Sequence, residues 1–242
     1  MSLVISGKDW FKFDGVLCDT KGLYCDTPQI PPMAKKRITT FKFGSDEDGV
    51  YSDDSFENVK YTLQAFKFPM SQTAEYVDTE LYAWIQSAKI LEISRYSGFY
   101  FKIRTIDGVQ PVTRSDGMRI DYKIAMTLSP FRYMKENPEF PLPQDGIITN
   151  TGTRYSKPIF KFTVTGSGAV ITTNGQRLMI DENGLITIDS NRMIVYKTVD
   201  GENISIMDKT TGKMPMFSVG TNLVTTMGNV SNFTIIGNWR CY

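Results

Sequence analysis

Between residues 159 and 236 a turn signal recurs about every eight to twelve positions, and the sharpest is Asn174-Gly175. Both central residues of a type I′ turn need φ > 0, which Asn and Gly supply at least cost. The flanking runs 170–173 and 176–180 are therefore predicted to be the two strands of a tight hairpin. Apolar runs at 159–164, 185–189, 193–197, 222–226 and 231–236 are too short for helices and are bounded by Gly, Asn, Asp and Ser. That spacing argues for antiparallel strands folded into a β-sandwich. A Gly, Thr, Ser and Pro cluster, Asn150-Thr151-Gly152-Thr153-Arg154-Tyr155-Ser156-Lys157-Pro158, precedes the first of these runs. It punctuates the backbone where a strand interior would not tolerate such residues.

The first half reads differently. Residues 58–68 set Val59, Tyr61, Leu63 and Ala65 against Asn58, Lys60, Thr62 and Gln64, the period-two signature of a sheet with one wet face. Residues 118–129 alternate in the same way over twelve positions, long for an average strand, and suit an extended sheet such as a wall or ring. Residues 37–43 read as a strand, and 90–94 with 99–106 as a hairpin. Short apolar pieces at 4–6, 10–13 and 17 are broken by Gly7, Gly15 and Gly22, as in hairpins or an arm. One helix is expected at 78–89, with Leu81, Trp84, Ile85 and Ala88 on one face and Asp78 or Thr79 as N-cap. That stripe is the face of a helix packed on a sheet. Pro28, Pro31 and Pro32 remove three donors, so residues 28–32 are an extended connector.

Pro138, Pro141 and Pro143 mark residues 136–144 as a stiff interdomain linker. The expected organisation is an α+β domain over residues 1–140 and a β-sandwich over 141–242, mainly β as a whole.

Composition removes whole classes of function. The 242 residues contain no histidine, so Ser-His-Asp, Cys-His and His-zinc chemistries are closed to a single chain. The 27 Lys and Arg against 26 Asp and Glu leave a net charge of +1, which gives no global field towards nucleic acid or an anionic membrane. Three cysteines, Cys18, Cys25 and Cys241, are too few for a disulfide framework, and the spacing of the first two is not that of a zinc site. A reducing cytoplasm is the expected place of folding. No run reaches the roughly 18 apolar residues of a membrane span, and the first residues lack the apolar stretch of a signal peptide, so classical export is not expected.

The order of short motifs in the second half, NTGTRYSKP, TNGQ, ITIDS at 186–190, MIVYK at 193–197, GNVSNFTI and the closing Asn238-Trp239-Arg240-Cys241-Tyr242, resembles the C-terminal domain of phage distal tail (Dit) proteins. The family pattern reads N-x-G-T-x-x-S-x-P and closes with Arg-Trp-Arg; Asn238 stands here in place of the first arginine. Gly22-Leu23-Tyr24 before the Pro-rich connector, Glu57-Asn58-Val59 after an Asp-Gly loop, and Ser129-Pro130-Phe131-Arg132-Tyr133 resemble the N-terminal domain of the same family.

The resemblance implies a tail-tube-like β-sheet domain with one flanking helix, a galectin-like C-terminal sandwich, and no enzymatic activity or cofactor. It implies a structural hub in the virion tail, assembled in the bacterial host cytoplasm. The N-terminal domains would form a homo-oligomeric six-fold ring that joins the tail tube to tip and adhesion proteins. Partners would be the tail-tube protein, the tape-measure protein and a tail-associated adhesin or lysin, with DNA only as cargo.

The alternative from another class is a glycan-binding module at the host cell wall, since the family's second domain is similar to galectins in fold. Galectin recognition uses a histidine that this chain lacks, and fold alone does not carry function.

The acidic run Asp46, Glu47, Asp48, Asp53 and Asp54 lacks the ligand spacing of a calcium loop and reads as a solvated loop. For a DNA conduit it is the candidate channel or rim loop, because a wall that does not attract phosphates suits the passage of DNA. Asp181, Glu182 and Asp189 would be the carboxylates of a glycosidase, a reading that turn and strand-end positions disfavour.

Overall fold

The structure is a computed structural model that describes residues 9–42, 48–52, 55–68, 74–113 and 119–242. Contacts divide the chain into two compact units, residues 1–133 together with Tyr242, and Met134–Cys241.

In the first unit the strands are β1 (Phe11–Phe13), β2 (Val16–Leu17), β3 (Thr39–Lys42), β4 (Asp48–Tyr51), β5 (Val59–Lys67), β6 (Ile90–Ile93), β7 (Phe99–Thr113) and β8 (Ile120–Met134). The main sheet runs β2-β1-β6-β7-β8, with β5 antiparallel to β8 from Val59 opposite Leu128 to Lys67 opposite Ile120. The period-two pattern of β5 does what it predicts: Val59, Tyr61, Leu63 and Ala65 are buried, and Lys60, Thr62 and Gln64 face out. β8 is longer than its alternation suggested and continues through Pro130. Its register with β5 ends at Leu128, so the missing proline N–H takes nothing from that ladder. Met118, the expected first residue of this strand, lies outside the described residues, as do residues 4–6.

The helix α1 (Ala74–Ser87) starts four residues before the expected position and ends two residues sooner. Leu81 and Ile85 enter the core with Ala88 just beyond the helix end, and Trp84 stacks 6.4 Å from Phe11 and meets Phe13 edge-on at 5.2 Å. Past the helix, the Asp14 carboxylate accepts hydrogen bonds from the Lys89 and Ile90 N–H groups, which ties the turn before β1's partner strand to the β1–β2 hairpin. β3 and β4 form a separate two-stranded sheet.

The second unit carries β9 (Glu139–Pro141), β10 (Ile147–Asn150), β11 (Ile159–Val164), β12 (Ala169–Thr173), β13 (Gln176–Ile180), β14 (Gly184–Asp189), β15 (Ile194–Val199), β16 (Glu202–Ser205), β17 (Thr210–Gly212), β18 (Gly220–Met227) and β19 (Val230–Ile236). One sheet runs β10-β18-β12-β13-β17 and the other β16-β15-β14-β11-β19-β9. Both contribute to one core, Ile148, Ile171, Leu178 and Val224 from the first and Phe160, Phe162, Ile186, Ile188 and Ile235 from the second. This is the face-to-face sandwich that the turn spacing predicted. Asn174 and Gly175 take φ 49° and 79°, as the type I′ turn demands.

The expected linker is corrected. Residues 136–144 are part of the second unit, where β9 pairs along the edge of the six-stranded sheet with Thr234 opposite Pro141 and Ile236 opposite Glu139. Glu139 accepts hydrogen bonds from Lys161 Nζ at 2.7 Å and Thr234 Oγ1 at 2.5 Å. Prolines are compatible with an edge strand because one side of it needs no donors. The break therefore falls at Met134 rather than at the expected 140/141 boundary.

Candidate functional site

The family-like motifs of the second half meet in a structural clasp. Asn150, almost fully buried, accepts from the Gly152 N–H and donates through Nδ2 to the carbonyls of Arg154 and Ser218. That bonding turns the chain so that Gly152 lies against the Arg240 backbone. Arg240 closes the loop: its Nε donates to the Tyr155 carbonyl at 2.6 Å, its guanidinium lies 4.2 Å from the Tyr155 ring centre, and its carbonyl accepts from the Arg154 N–H. Asn238 adopts φ 51°, donates from its side-chain amide to the Lys157 carbonyl and from its backbone N–H to Asn137 Oδ1. The residue that departs from the family pattern thus serves as a left-handed corner, a conformation asparagine tolerates. Trp239 is only 8% exposed and packs on Phe217, which excludes it as a sugar platform.

The three carboxylates of the glycosidase reading have separate duties. Asp189 Oδ1 accepts from the N–H groups of Asn191 and Arg192 at a turn. Glu182 is held below the usual carboxylate range by the Asn183 N–H and by Lys197. Asp181 lies beside Lys209 in an open surface depression. Among the described residues no three His, Cys, Asp or Glu side chains are grouped to hold a metal ion.

Of the candidate rim loop, Asp46, Glu47, Asp53 and Asp54 lie outside the described residues, and Asp48 begins β4. The hairpin it belongs to has a distinctive surface. The β3–β4 register sets Thr39 opposite Tyr51 and Phe41 opposite Gly49, which places Phe41 and Tyr51 on one face and Val50 on the other. All three are exposed, and every residue of β3 is exposed.

Two polar clusters fix the main sheet. Asp107 on β7 accepts from Thr105, Thr127 and Lys60, the last two directly opposite each other on β8 and β5, and these bonds lower its carboxyl to about 2. Arg119 spans Asp121 and Asp26 while stacking 3.7 Å from the Phe66 ring centre. Cys18 and Cys25 are paired thiols: the hydrogen bond between them lowers Cys18 to about 7, and the same bond together with burial pushes Cys25 up. Tyr61 donates its hydroxyl to the Gln29 carbonyl at 2.8 Å, and burial raises its phenol.

An apolar pocket of about 400 Å³ opens beside the Pro-rich connector and was not legible in the sequence. It joins residues 30–33, Val59, Tyr96, Phe101, residues 128–130, Arg132 and Tyr242, which are distant in the sequence. Arg132 lies in it with its guanidinium 4.5 Å from the Tyr96 ring centre and 4.8 Å from that of Phe99. Arg132 Nε and Ser129 Oγ are buried with no hydrogen-bond partner among the described residues.

The second unit has an apolar outer face as well. Ile147 opposes Leu223, and Val170 is flanked by Met227 and Met179, on the side of the five-stranded sheet away from the core. No helix among the described residues is long and apolar enough to cross a membrane.

No family model matches the chain, and no curated protein matches it in sequence. Solved structures match it in fold. The SPP1 Dit protein, described as a paradigm of the hub adsorption apparatus in phages that infect Gram-positive bacteria, aligns with a TM-score of 0.68 at 9% identity, covering 94% of this chain and 97% of that one. A chain of the phage P2 baseplate in its activated conformation with calcium aligns at 0.57 and 9% identity over 94% of this chain and 96% of that one. The strontium form of that baseplate aligns at 0.55 and 8% over 95% and 97%. At such identities the likeness is one of fold, and it extends through both units.

Proposed function

We propose that this chain is the non-catalytic structural hub of a phage or prophage tail tip. The observation that carries the reading is the continuity of the fold match: one chain holds the sheet-and-helix unit and the sandwich unit, and 94% of it aligns with the SPP1 Dit hub protein. In this reading the first units form a six-fold ring that extends the tail tube. The acidic stretch Asp46 to Asp54 faces the channel or rim, and the galectin-like sandwiches stand outside as a platform.

The partners are the tail-tube protein, the tape-measure protein and an adhesin or lysin, assembled in the host cytoplasm into the virion tail. Physical support comes from surfaces that a lone copy leaves uncovered. Among the described residues the β3–β4 hairpin pairs with no other strand, and a two-stranded sheet is marginal in water by itself. β2 ends the sheet order of the first unit and β5 lies off it with Tyr24 bridging its outer edge at Phe66, and edge strands are stabilised when a neighbouring copy pairs with them. The outer face around Val170, Met179 and Met227 gives the platform an apolar surface for a protein partner.

A glycan-binding role has less support. Sugar sites commonly present an aromatic face, yet Trp239 is buried and no aromatic side chain of the second unit is among the exposed large apolar residues. Electron microscopy of intact tails tests the hub reading: a ring of this chain at the distal end of the tube supports it, and a tip ring built from another protein overturns it.

A further inference from the structure

We propose that Cys18 and Cys25 form a redox site, a dithiol that hydrogen peroxide closes into a disulfide, pinning the start of the Pro-rich connector to the end of β2. The proposal goes beyond the hub reading and is tested without it, on the purified chain.

The two thiols meet because the backbone around each is fixed. Cys18 opens a short 3₁₀ turn directly after β2, and its carbonyl accepts from the Leu23 N–H at 3.1 Å while the Gly22 N–H donates to the Asp19 carbonyl at 2.9 Å. Gly22 takes φ 70°, the left-handed conformation that reverses the chain. Two residues on, Tyr24 and Phe66 exchange both backbone hydrogen bonds, at 2.8 and 2.7 Å, which fixes the frame of Cys25 against β5. Past Cys25, Asp26 pairs with Arg119 and the Thr27 hydroxyl donates to Asp9. Both cysteines are free thiols, and the Cys25 S–H donates to the Cys18 sulfur. Sulfurs in hydrogen-bond contact already face each other, so a bond of about 2.0 Å needs a short approach rather than a rearrangement.

The surroundings assign a role to each sulfur. Cys18 is 3% exposed, but Asp19, Thr20 and Lys21 beside it are exposed and Cys25 is only half-buried, so the pair lies just under the surface, within reach of a small oxidant. The bond from Cys25, with further bonds at the backbone of Phe11 and Asp19, lowers the Cys18 thiol to about 7 against burial and the Asp19 carboxylate. Cys25 is pushed up by donating that bond, by burial, and by the Asp9 and Asp26 carboxylates; the Tyr61 phenol beside it is itself raised by burial. Cys18 is therefore the attacking sulfur and Cys25 the resolving one.

The Cys18 thiolate attacks one peroxide oxygen: an S–O bond forms, the O–O bond breaks, and the leaving hydroxide takes up a proton as water. The Cys25 sulfur then attacks the Cys18 sulfenic acid. The S–S bond forms, the S–O bond breaks, and the second water leaves with the Cys25 proton. Two thiols and one peroxide give one disulfide and two waters, the sulfurs losing the two electrons that the peroxide gains. A reducing compartment keeps the pair open, and it closes where peroxide is met without a thiol buffer.

The test treats the purified full-length chain with hydrogen peroxide after removal of reductant. The expected result is an intact mass lower by two hydrogens, a non-reducing digest that joins the Cys18 and Cys25 peptides, and Cys241 still open to alkylation once the chain is unfolded. The melting temperature of the first unit should rise by about 5 °C or more, reversibly with dithiothreitol, as a closed eight-residue loop restricts the unfolded chain. With Cys25→Ser the Cys18 sulfenic acid should be captured by dimedone, at least tenfold faster than Cys25 is labelled in Cys18→Ser. Circular dichroism checks that these variants fold, and the peptide map of the parent decides the matter without them. A map with no Cys18–Cys25 bond, whether Cys18 passes on to sulfinic acid, the bond links two copies or Cys241 is the partner, would overturn the proposal and leave the hub reading untouched.

Discussion

Replacing Gly152 by alanine tests whether the clasp between the two motif segments is as tight as its geometry. A methyl group at this position would meet the Arg240 carbonyl head-on, and would lie 3.0 Å from the Arg240 nitrogen and 3.1 Å from Asn150 Oδ1, where ordinary contact begins at 3.4 Å. All three neighbours are fixed. The carbonyl accepts from the Arg154 N–H, and Asn150 is held by three hydrogen bonds, so the strain cannot be relieved by moving the end of a flexible chain.

Overpacking of this kind costs about 1–3 kcal/mol, and loss of the Gly152 N–H bond to Asn150 places this site in the upper half, about 2 kcal/mol or more. For a domain of about 100 residues that lowers the melting temperature by roughly 8 °C, near 4 °C per kcal/mol. Differential scanning calorimetry of the full chain, with near-ultraviolet circular dichroism to assign the transition of the second unit, reads the effect. Gly98→Ala is the control, because a methyl there meets nothing within 4 Å. A Gly152→Ala protein that melts within about 2 °C of the parent, which is less than about 0.5 kcal/mol, would refute the clasp.

Two further outcomes follow from the same geometry. A fragment of residues 134–241 should fold cooperatively, whereas one beginning at 142 should be less stable to urea by about 1–3 kcal/mol because it lacks β9, its Phe140 packing and the Glu139 bonds to Lys161 and Thr234; equal stability would restore residues 136–144 to the role of linker. The Asp107 carboxyl should titrate near 2 by carbon-13 NMR, below its ordinary 3.8, and its contribution to stability, present in full above about pH 4, should fade as the pH falls through 2 and vanish in Asp107→Asn. Because Asp107 lies on the exposed half of β7, solvent screening keeps that contribution small, and the titration is the sharper readout.

Much of the fold was legible because burial enforces periodicity. β5 declared its inner face residue by residue, and Asn174-Gly175 declared a turn whose positive φ values few other pairs accept. The linker was misread because prolines signal two things alike, a stiff connector and an edge strand, and only the pairing partner, β19, separates them. The helix boundary at Ala74 was missed because Asp78 and Thr79 are good caps by residue type yet lie inside the helix.

The motif segments were recognisable by resemblance, but their clasp was not. It depends on residues 150–155 meeting Arg240 across about 85 positions. The pocket was invisible for the same reason: Met33, Tyr96 and Arg132 belong to distant segments, and nothing in their local sequence marks them as neighbours. Family resemblance did direct attention to residues 129–133, where Ser129 and Arg132 each carry a buried polar atom with no hydrogen-bond partner among the described residues.

Cryo-electron microscopy of intact tails from particles that encode this chain tests the central claim most directly. The account expects six copies of the first unit closed in a ring, coaxial with the tube at its distal end, with the six sandwiches outside. A tail tip whose ring is built from another protein, with this chain absent or present only as isolated copies on the outer surface, would contradict it.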